Sequence, residues 1–467
     1  MNQSTQLTKG AINFYTNCNI DNFTPDIIHM SKRCFMDGLA VIIAGTEQPA
    51  LKIMEKMFTR LDYPHESRLL GKGSISLPVE LAARWNGLAG HAMDWDDTQL
   101  SKGENRLYGL LTHPTIPPLA SGIAVADKLK NISGRQFIEA FVAGVEVECK
   151  LNEVINPSHY VKGFHSSGTF GTFGAVTTAS KLLGLDQEQY ANALGIAVSL
   201  AAGIRVNFGT MTKPLHVGRA AENGVTAALF AQSGFTANNE AFDGPWGYIT
   251  VAGQTGDPDP SLATFGEPFT IIDPGVSIKP YPSGVLTHPS MDAMKKIMDA
   301  NNIQPNDIKH VKLFAGNNIL GPIRYKIAKN ELEGKFSMAF LLSSMIIAGR
   351  AGKKEFTDDF VQSKEVQDMQ SKVSTHYDEA IEKLGVDKIR SRIEVETQSG
   401  DIYSINADEN YRGGPDNPLS EEELENKFEV CAENLLIDDQ VSKIKQFIWT
   451  LDEQKAVDQI IDLTNYS

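Results

Sequence analysis

The sequence predicts a mainly α protein: a large all-helical domain built from both chain ends, residues 1–266 and 409–467, and a smaller α+β domain, residues 267–408, inserted before the C-terminal helices. Three observations predict this. As far as about residue 266, apolar residues recur at helical spacing between short polar loops. From about Glu267 the pattern changes to short β-branched and aromatic runs bounded by turn residues. From Ser420 to Ile461 helical periodicity returns, so the tail is expected to pack on the first domain.

Residues 1 to about 60 read as two amphipathic helices, the second opened by Thr24-Pro25-Asp26. After a glycine loop, Gly71-Lys72-Gly73-Ser74, a cap at Ser76 and Pro78 in the first turn start a helix expected from about Leu77 to Asp97. That helix would place Gly87, His91, Asp94 and Thr98 on one side. A polar loop from Gln99 to Arg106 and the run Leu107 to Leu111 lead to Thr112-His113-Pro114-Thr115, where Thr115 is expected to cap the next helix. Helices follow at 134–150, from the glycine-rich His165–Gly174 stretch onward, at 186–203 and from Pro214 to about Gln232. In the insert, 269–272, 308–314 and 389–405, with a turn at Ser399-Gly400-Asp401, read as strands. Residues 289–300, 335–349 and 357–383 read as helices.

Hydrophobic residues make up 42% and charged residues 22% of the 467, which is ordinary for a soluble globular chain, and no segment is apolar enough to span a bilayer. The net charge of −15 disfavours nucleic acid and anionic membrane as partners. Met1–Gly10 lacks the features of a secretory signal, and Cys18, Cys34, Cys149 and Cys431 are scattered without metal-site or redox spacing. The expectation is a cytoplasmic protein with reduced thiols. Gly71-x-Gly73 lacks the preceding strand and third glycine of a dinucleotide fingerprint.

The densest chemistry lies in Gly90-His91-Ala92-Met93-Asp94-Trp95-Asp96-Asp97-Thr98. Two carboxylates about 4 Å apart repel by roughly 4 kcal/mol at an effective dielectric near 20. Asp94, Asp96 and Asp97 therefore divide their roles: one can carry a proton, one can orient a histidine, and one can cap a helix or pair elsewhere. His113, before a helix N-terminus, is expected to stay neutral and able to act as a base. The same phrase recurs as Thr287-His288-Pro289-Ser290. His165 heads glycines spaced for close approach of another backbone or a ligand. Lys213, at the start of a helix, makes an anion site with the free amides of the first turn. An acidic loop, tight helix packing and an exposed lysine would each explain one of these features alone. The His and Asp spacings match no metal-site template, so no metal is expected, and a metal-dependent hydrolase stands as a rival reading.

Taken together, the phrases His91–Thr98, Thr112-His113-Pro114, His165 with its glycines, Lys213-Pro214-Leu215-His216-Val217-Gly218-Arg219, Phe242–Tyr248, and Lys279-Pro280-Tyr281-Pro282 followed by Thr287-His288-Pro289 resemble the MmgE/PrpD family, in the family's order. The resemblance implies a helical domain with an α+β lid, a homodimer, and cofactor-free chemistry on small polycarboxylates. Members include 2-methylcitrate dehydratase, cis-aconitate decarboxylase and iminodisuccinate epimerase. Carried across by motif, Asp94, Thr98, His113, His165, Lys213 and His288 would form the site at the mouth between core and lid, with His91, Arg205, His216 and Lys279 as further substrate-binding candidates.

On this reading one histidine moves a carbon-bound proton while Lys213 and helix amides stabilise enolate-like charge. Asp94, within reach of His91 or His113, would set a tautomer or serve as the partner acid. Where several family members have a tyrosine, this chain has Phe340, so a phenolic role is not carried over. Elimination of the 2-methylcitrate dehydratase type is placed first, with epimerisation and cis-aconitate-type decarboxylation as alternatives. A non-catalytic carboxylate-binding protein is the remaining reading outside the family's enzymes.

Overall fold

The structure, a computed structural model, describes residues 7–100, 112–155, 157–253, 263–385 and 387–466. They form two compact units, one made of the described residues up to 276 and from 420 onward, the other of 277–419.

The first unit opens with α1 (Leu7–Asn17), α2 (Pro25–Gly45) and α3 (Pro49–Phe58), where two helices were expected. Thr24 caps α2 and Pro25 fills its first turn, as the sequence predicts. The Gly71–Ser74 loop is part of an antiparallel hairpin, β1 (Ser67–Leu69) with β2 (Lys72–Leu77), so the unit is not all-helical. Next come α4 (Val79–Ala92), α5 (Ile116–Leu129), α6 (Gly134–Ile155), α7 (Ser158–Val161), α8 (Ser166–Leu183), α9 (Gln187–Leu200), α10 (Thr212–Gln232) and α11 (Tyr248–Gly253). The run Leu107–Leu111 and most of the preceding polar loop lie outside the described residues.

The core of this unit is α10 packed along α4 and α8, with α5 and α6 against α8. Small residues permit it. A Cβ on Gly87 would stand 2.9 Å from the Val217 carbonyl oxygen, and one on Gly224 would stand 2.5 Å from the Val176 nitrogen. The helices thus meet backbone to backbone, which brings the N-termini of α8 and α10 and the C-terminus of α4 within side-chain reach of one another.

Residues 269–272 are not a strand; a π-helical turn occupies Ile271–Gly275. The buried Glu146 carboxylate accepts hydrogen bonds from the backbone N–H groups of Gly266 and Thr270, both at 2.7 Å, so those donors go to a side chain rather than to a ladder.

The second unit contains α12 (His288–Asn301), β3 (Ile308–Ala315), α13 (Asn317–Leu320), α14 (Glu331–Gly334), α15 (Met338–Ala348), α16 (Asp358–Gln362), α17 (Lys364–Ser371), β4 (Val373–Tyr377), α18 (Glu379–Lys383), β5 (Ser391–Thr397) and β6 (Ile402–Asn406). The sheet order is β4-β3-β5-β6, with β4 parallel to β3 and the other pairs antiparallel. The helix expected over 357–383 is three short helices and a strand. Thr357 caps α16, Ser363 ends it and caps α17, and β4 then takes the edge of β3.

The tail forms α19 (Glu421–Ala432), α20 (Asp438–Trp449) and α21 (Gln459–Leu463), with α19 against α2 in the first unit. All four cysteines are buried thiols. Among the described residues no helix is long and apolar enough to cross a membrane.

Candidate active site

The site begins where α4 stops. The helix ends at Ala92 rather than running to Asp97, and Asp94 adopts φ 55°, a left-handed turn that aspartate tolerates better than most residues. Asp94 and Thr98 therefore do not continue the helical stripe of Gly87 and His91. The turn folds the acidic segment back on the helix end, so that Asp94, Asp96 and Asp97 point to different partners.

Asp96 takes the histidines. The His91 Nδ1–H donates to Asp96 at 2.8 Å, and His113 Nδ1 lies 3.4 Å from the same carboxylate. The remaining His91 nitrogen, Nε2, accepts from Lys213 Nζ at 3.0 Å, and Lys213 Nζ stands 3.0 Å from Asp94 Oδ1. A continuous chain results: Asp96, His91, Lys213, Asp94. The tautomer-setting carboxylate is Asp96; Asp94 holds Lys213 instead. His91, with both ring nitrogens engaged by protein groups, positions the lysine.

His113 is held differently. Its Nδ1–H donates to the Asp97 carbonyl oxygen at 2.6 Å, which leaves the lone pair on Nε2, and its side chain is 16% exposed. Its backbone N–H donates to Ser167 Oγ at 3.0 Å, tying it to the first turn of α8. Thr98 Oγ1 donates to the Thr112 carbonyl at 3.1 Å beside a Gln99–Thr112 bridge, so Thr98 fixes the backbone that carries His113. Thr115 begins α5 without capping it through its side chain, because its hydroxyl hydrogen-bonds Asp97. Thr287 likewise starts α12 with no side-chain cap, its hydroxyl bonded to the Gly284 carbonyl at 2.8 Å. The repeated phrase is thus a repeated turn, held by different groups.

His165 immediately precedes α8, its ring centroid 5.5 Å from His91 and 6.4 Å from His113. His165 Nδ1 meets His216 Nδ1 at 3.1 Å. Phe208 packs edge-on to His165, with ring centroids 5.1 Å apart, and Lys213 Nζ lies 5.4 Å from the same ring. Arg205 stacks over Tyr160 at 3.7 Å and donates to its carbonyl at 2.8 Å. Lys279 and His288 belong to the second unit. There Lys279 is buried, and His288 sits at the head of α12, edge-on to Tyr281, with Nε2 3.2 Å from the Ser283 carbonyl. Phe340 is fully buried against Phe356 and Phe360 in the same unit.

Burial sets the charge states. It lowers the pKa of His91, against the pull of Asp96, and holds His165 well below the ordinary histidine value, with Lys213 and the neighbouring histidines adding to the effect. Burial also brings His216 to about 4. These rings are neutral at neutral pH, each able to donate from one nitrogen and accept at the other.

Burial, with Asp37 and Asp96 adding repulsion, lifts the Asp97 carboxyl to about 8. The folded value lies above the unfolded one, so this contribution to stability is complete below about pH 4 and is lost as pH rises through about 8. Asp97→Asn is therefore expected to gain on the wild type as pH rises, by on the order of a few kcal/mol near pH 8. Urea unfolding of both chains near pH 5 and near pH 8 checks this; the same difference at both would refute it.

Ring nitrogens of His91, His113 and His165 lie within 4.8 Å of one another, close enough to gather a cation. Lys213 Nζ already occupies the position against His91 Nε2, and its positive charge opposes a second cation there. His91, Asp94, Asp96 and His113 likewise offer ligand atoms within 4.8 Å of one another. Phe208, Ser167 and the division of labour between Asp94 and Asp96 escape a reading of the sequence. The one signal is that Phe208 sits between Arg205 and Lys213 in the same segment.

The fold and this cluster define a mainly helical protein in which a buried lysine and neutral histidines gather where α4 ends and α8 and α10 begin. The chain belongs to the MmgE/PrpD family: the MmgE/PrpD N-terminal domain matches residues 12–261 and the MmgE/PrpD C-terminal domain matches 281–453. It is similar to the cis-aconitate decarboxylase of Homo sapiens, 28% identical across 93% of this chain and 89% of that one, and to that of Mus musculus, at 27% across 93% and 88%. The cis-aconitate decarboxylase of Aspergillus terreus is 24% identical across 99% of this chain and 97% of its own.

Proposed function

We propose that the chain is a lyase that acts on a small polycarboxylate by proton transfer at carbon next to a carboxylate, without a cofactor. The carrying observation is the placement of Lys213, held by His91 and Asp94, beside a histidine whose basic nitrogen is dictated by its neighbours. Lys213 receives a substrate carboxylate and stabilises the negative charge that develops on it. His113, through Nε2, takes or returns the proton.

The family relatives support decarboxylation of a cis-aconitate-like acid as the first reaction to test, ahead of the dehydration favoured by sequence alone. Epimerisation draws no support from them. In the decarboxylation a C–C bond to one carboxylate breaks, carbon dioxide leaves, and the electron pair passes into the conjugated system. One proton is then delivered to carbon. The family resemblance also implies a cytoplasmic homodimer, which light scattering and cell fractionation would test.

The deciding experiment is proton NMR in D2O with cis-aconitate and 2-methylcitrate offered separately. The expected result is loss of cis-aconitate with carbon dioxide release and one deuterium on product carbon. Loss of water from 2-methylcitrate instead would make the chain a dehydratase. A raised melting temperature with neither turnover nor exchange would point to a binding protein, and turnover abolished by chelators would restore the metal-dependent reading.

A further inference from the structure

We infer that Lys427, on α19 in the C-terminal tail, is a positioning residue of the active site: it clamps the turn Asp94–Asp97 through the Trp95 carbonyl and so fixes the groups that hold Lys213, His91 and His113. This role belongs to the lyase reading above, and only the kinetic half of its test rests on that reading.

Lys427 stands where the helix pattern calls for an apolar residue. Leu424, Lys427, Phe428 and Cys431 recur at helical spacing and the three apolar ones are completely buried, so the lysine projects from the buried face of α19. Ser420 and Glu423 cap the helix reciprocally and fix its start. The ammonium group is out of water, and protein acceptors take the place of solvent. Nζ pairs with Asp37 of α2 at 2.5 Å, the two side chains being 4% and 1% exposed, and it donates to the Trp95 carbonyl at 2.8 Å, 332 positions away in the chain. It also lies 5.3 Å from the centre of the Trp95 ring, a cation–π distance.

The position of that acceptor gives the contact its role. Trp95 stands between Asp94, which pairs with Lys213 at 3.0 Å, and Asp96, which accepts from His91 at 2.8 Å. Two residues on, the Asp97 carbonyl takes the His113 Nδ1–H at 2.6 Å. Asp94 has left the helix at φ 55°, so the backbone beyond it lies outside the α4 ladder. A hydrogen bond from a buried ammonium, charge-assisted and shielded from water, holds it instead. One short segment carries all three partners, so a shift at Trp95 moves them together.

The test compares two double variants, Lys427→Met with Asp37→Asn and Lys427→Gln with Asp37→Asn. Both remove the ion pair without orphaning a charge, and both carry the same change opposite Asp97, so they differ in the donor to Trp95, which only glutamine supplies. Methionine suits the buried face of α19, and both are expected to melt near the wild-type temperature. The Met variant is expected to lose kcat by about tenfold to a hundredfold, the cost of a displacement on the order of 1 Å, and the Gln variant to retain a kcat roughly several-fold above it. Proton NMR of isotope-labelled histidines supplies the second readout. The His113 Nδ1–H resonance, identified by its loss in His113→Asn, is expected to move or to exchange with water in the Met variant and to stay in place in the Gln variant. A wild type that turns over neither cis-aconitate nor 2-methylcitrate would sink the lyase reading and leave the resonance to decide the clamp. Equal kcat in the two variants, or an unmoved resonance in the Met variant, would overturn it.

Discussion

His113→Asn is expected to keep the fold and to lose kcat by about a hundredfold to ten-thousandfold, with kcat/KM falling in parallel. Asparagine retains an N–H that can replace Nδ1–H toward the Asp97 carbonyl, so the turn that ties Thr112 to Gln99 and His113 to Ser167 persists. What disappears is the basic nitrogen. Single-turnover kinetics with cis-aconitate separates this from a binding defect. A variant within a few-fold of wild type would remove His113 from the chemistry and shift the proton-moving role to His165.

Lys213→Met is expected to produce two losses that can be separated. The first is catalytic: removing one charged donor to developing negative charge costs about a hundredfold to a thousandfold in kcat. The second is structural, because Asp94, only 4% exposed, is left facing an apolar side chain at a cost of about 3 to 5 kcal/mol. The double variant Lys213→Met with Asp94→Asn is expected to recover most of the melting temperature and none of the activity. Thermal unfolding and turnover measured on the same preparations check this. Recovery of activity together with stability would mean that the lysine only balances the charge of Asp94.

The fold brings His91, Asp94, His113, His165 and Lys213 together as the sequence suggests, but in a geometry that the sequence does not show. The helix starts at 24–25, 115–116 and 212–214 were legible, because proline in a first turn acts locally, although of the three only Thr24 caps through its side chain. The end of α4 was not. His91, Asp94 and Thr98 have helical spacing, but Asp94 leaves the helix so that its carboxylate can reach Lys213, and the stabilisation comes from a residue 119 positions away. The same competition explains residues 269–272, where Glu146 captures backbone donors that a β-branched run would otherwise offer to a neighbouring strand. β4 was hidden inside a helical pattern because only its pairing with β3 selects the extended form.

Local chemistry and motif order decide that this chain is mainly helical, that it carries an acidic histidine cluster and a lysine at a helix start, and that it belongs among the MmgE/PrpD proteins. Those properties depend on residue type and short-range spacing, which are visible along the chain. Which carboxylate orients a histidine, which holds the lysine and which nitrogen of His113 stays basic are decided only by folding. Each depends on distances of about 3 Å between groups far apart in sequence. Hydrogen bonds and buried charges lose their strength within a fraction of that distance, so no pattern of residue types can assign them before the helices have packed.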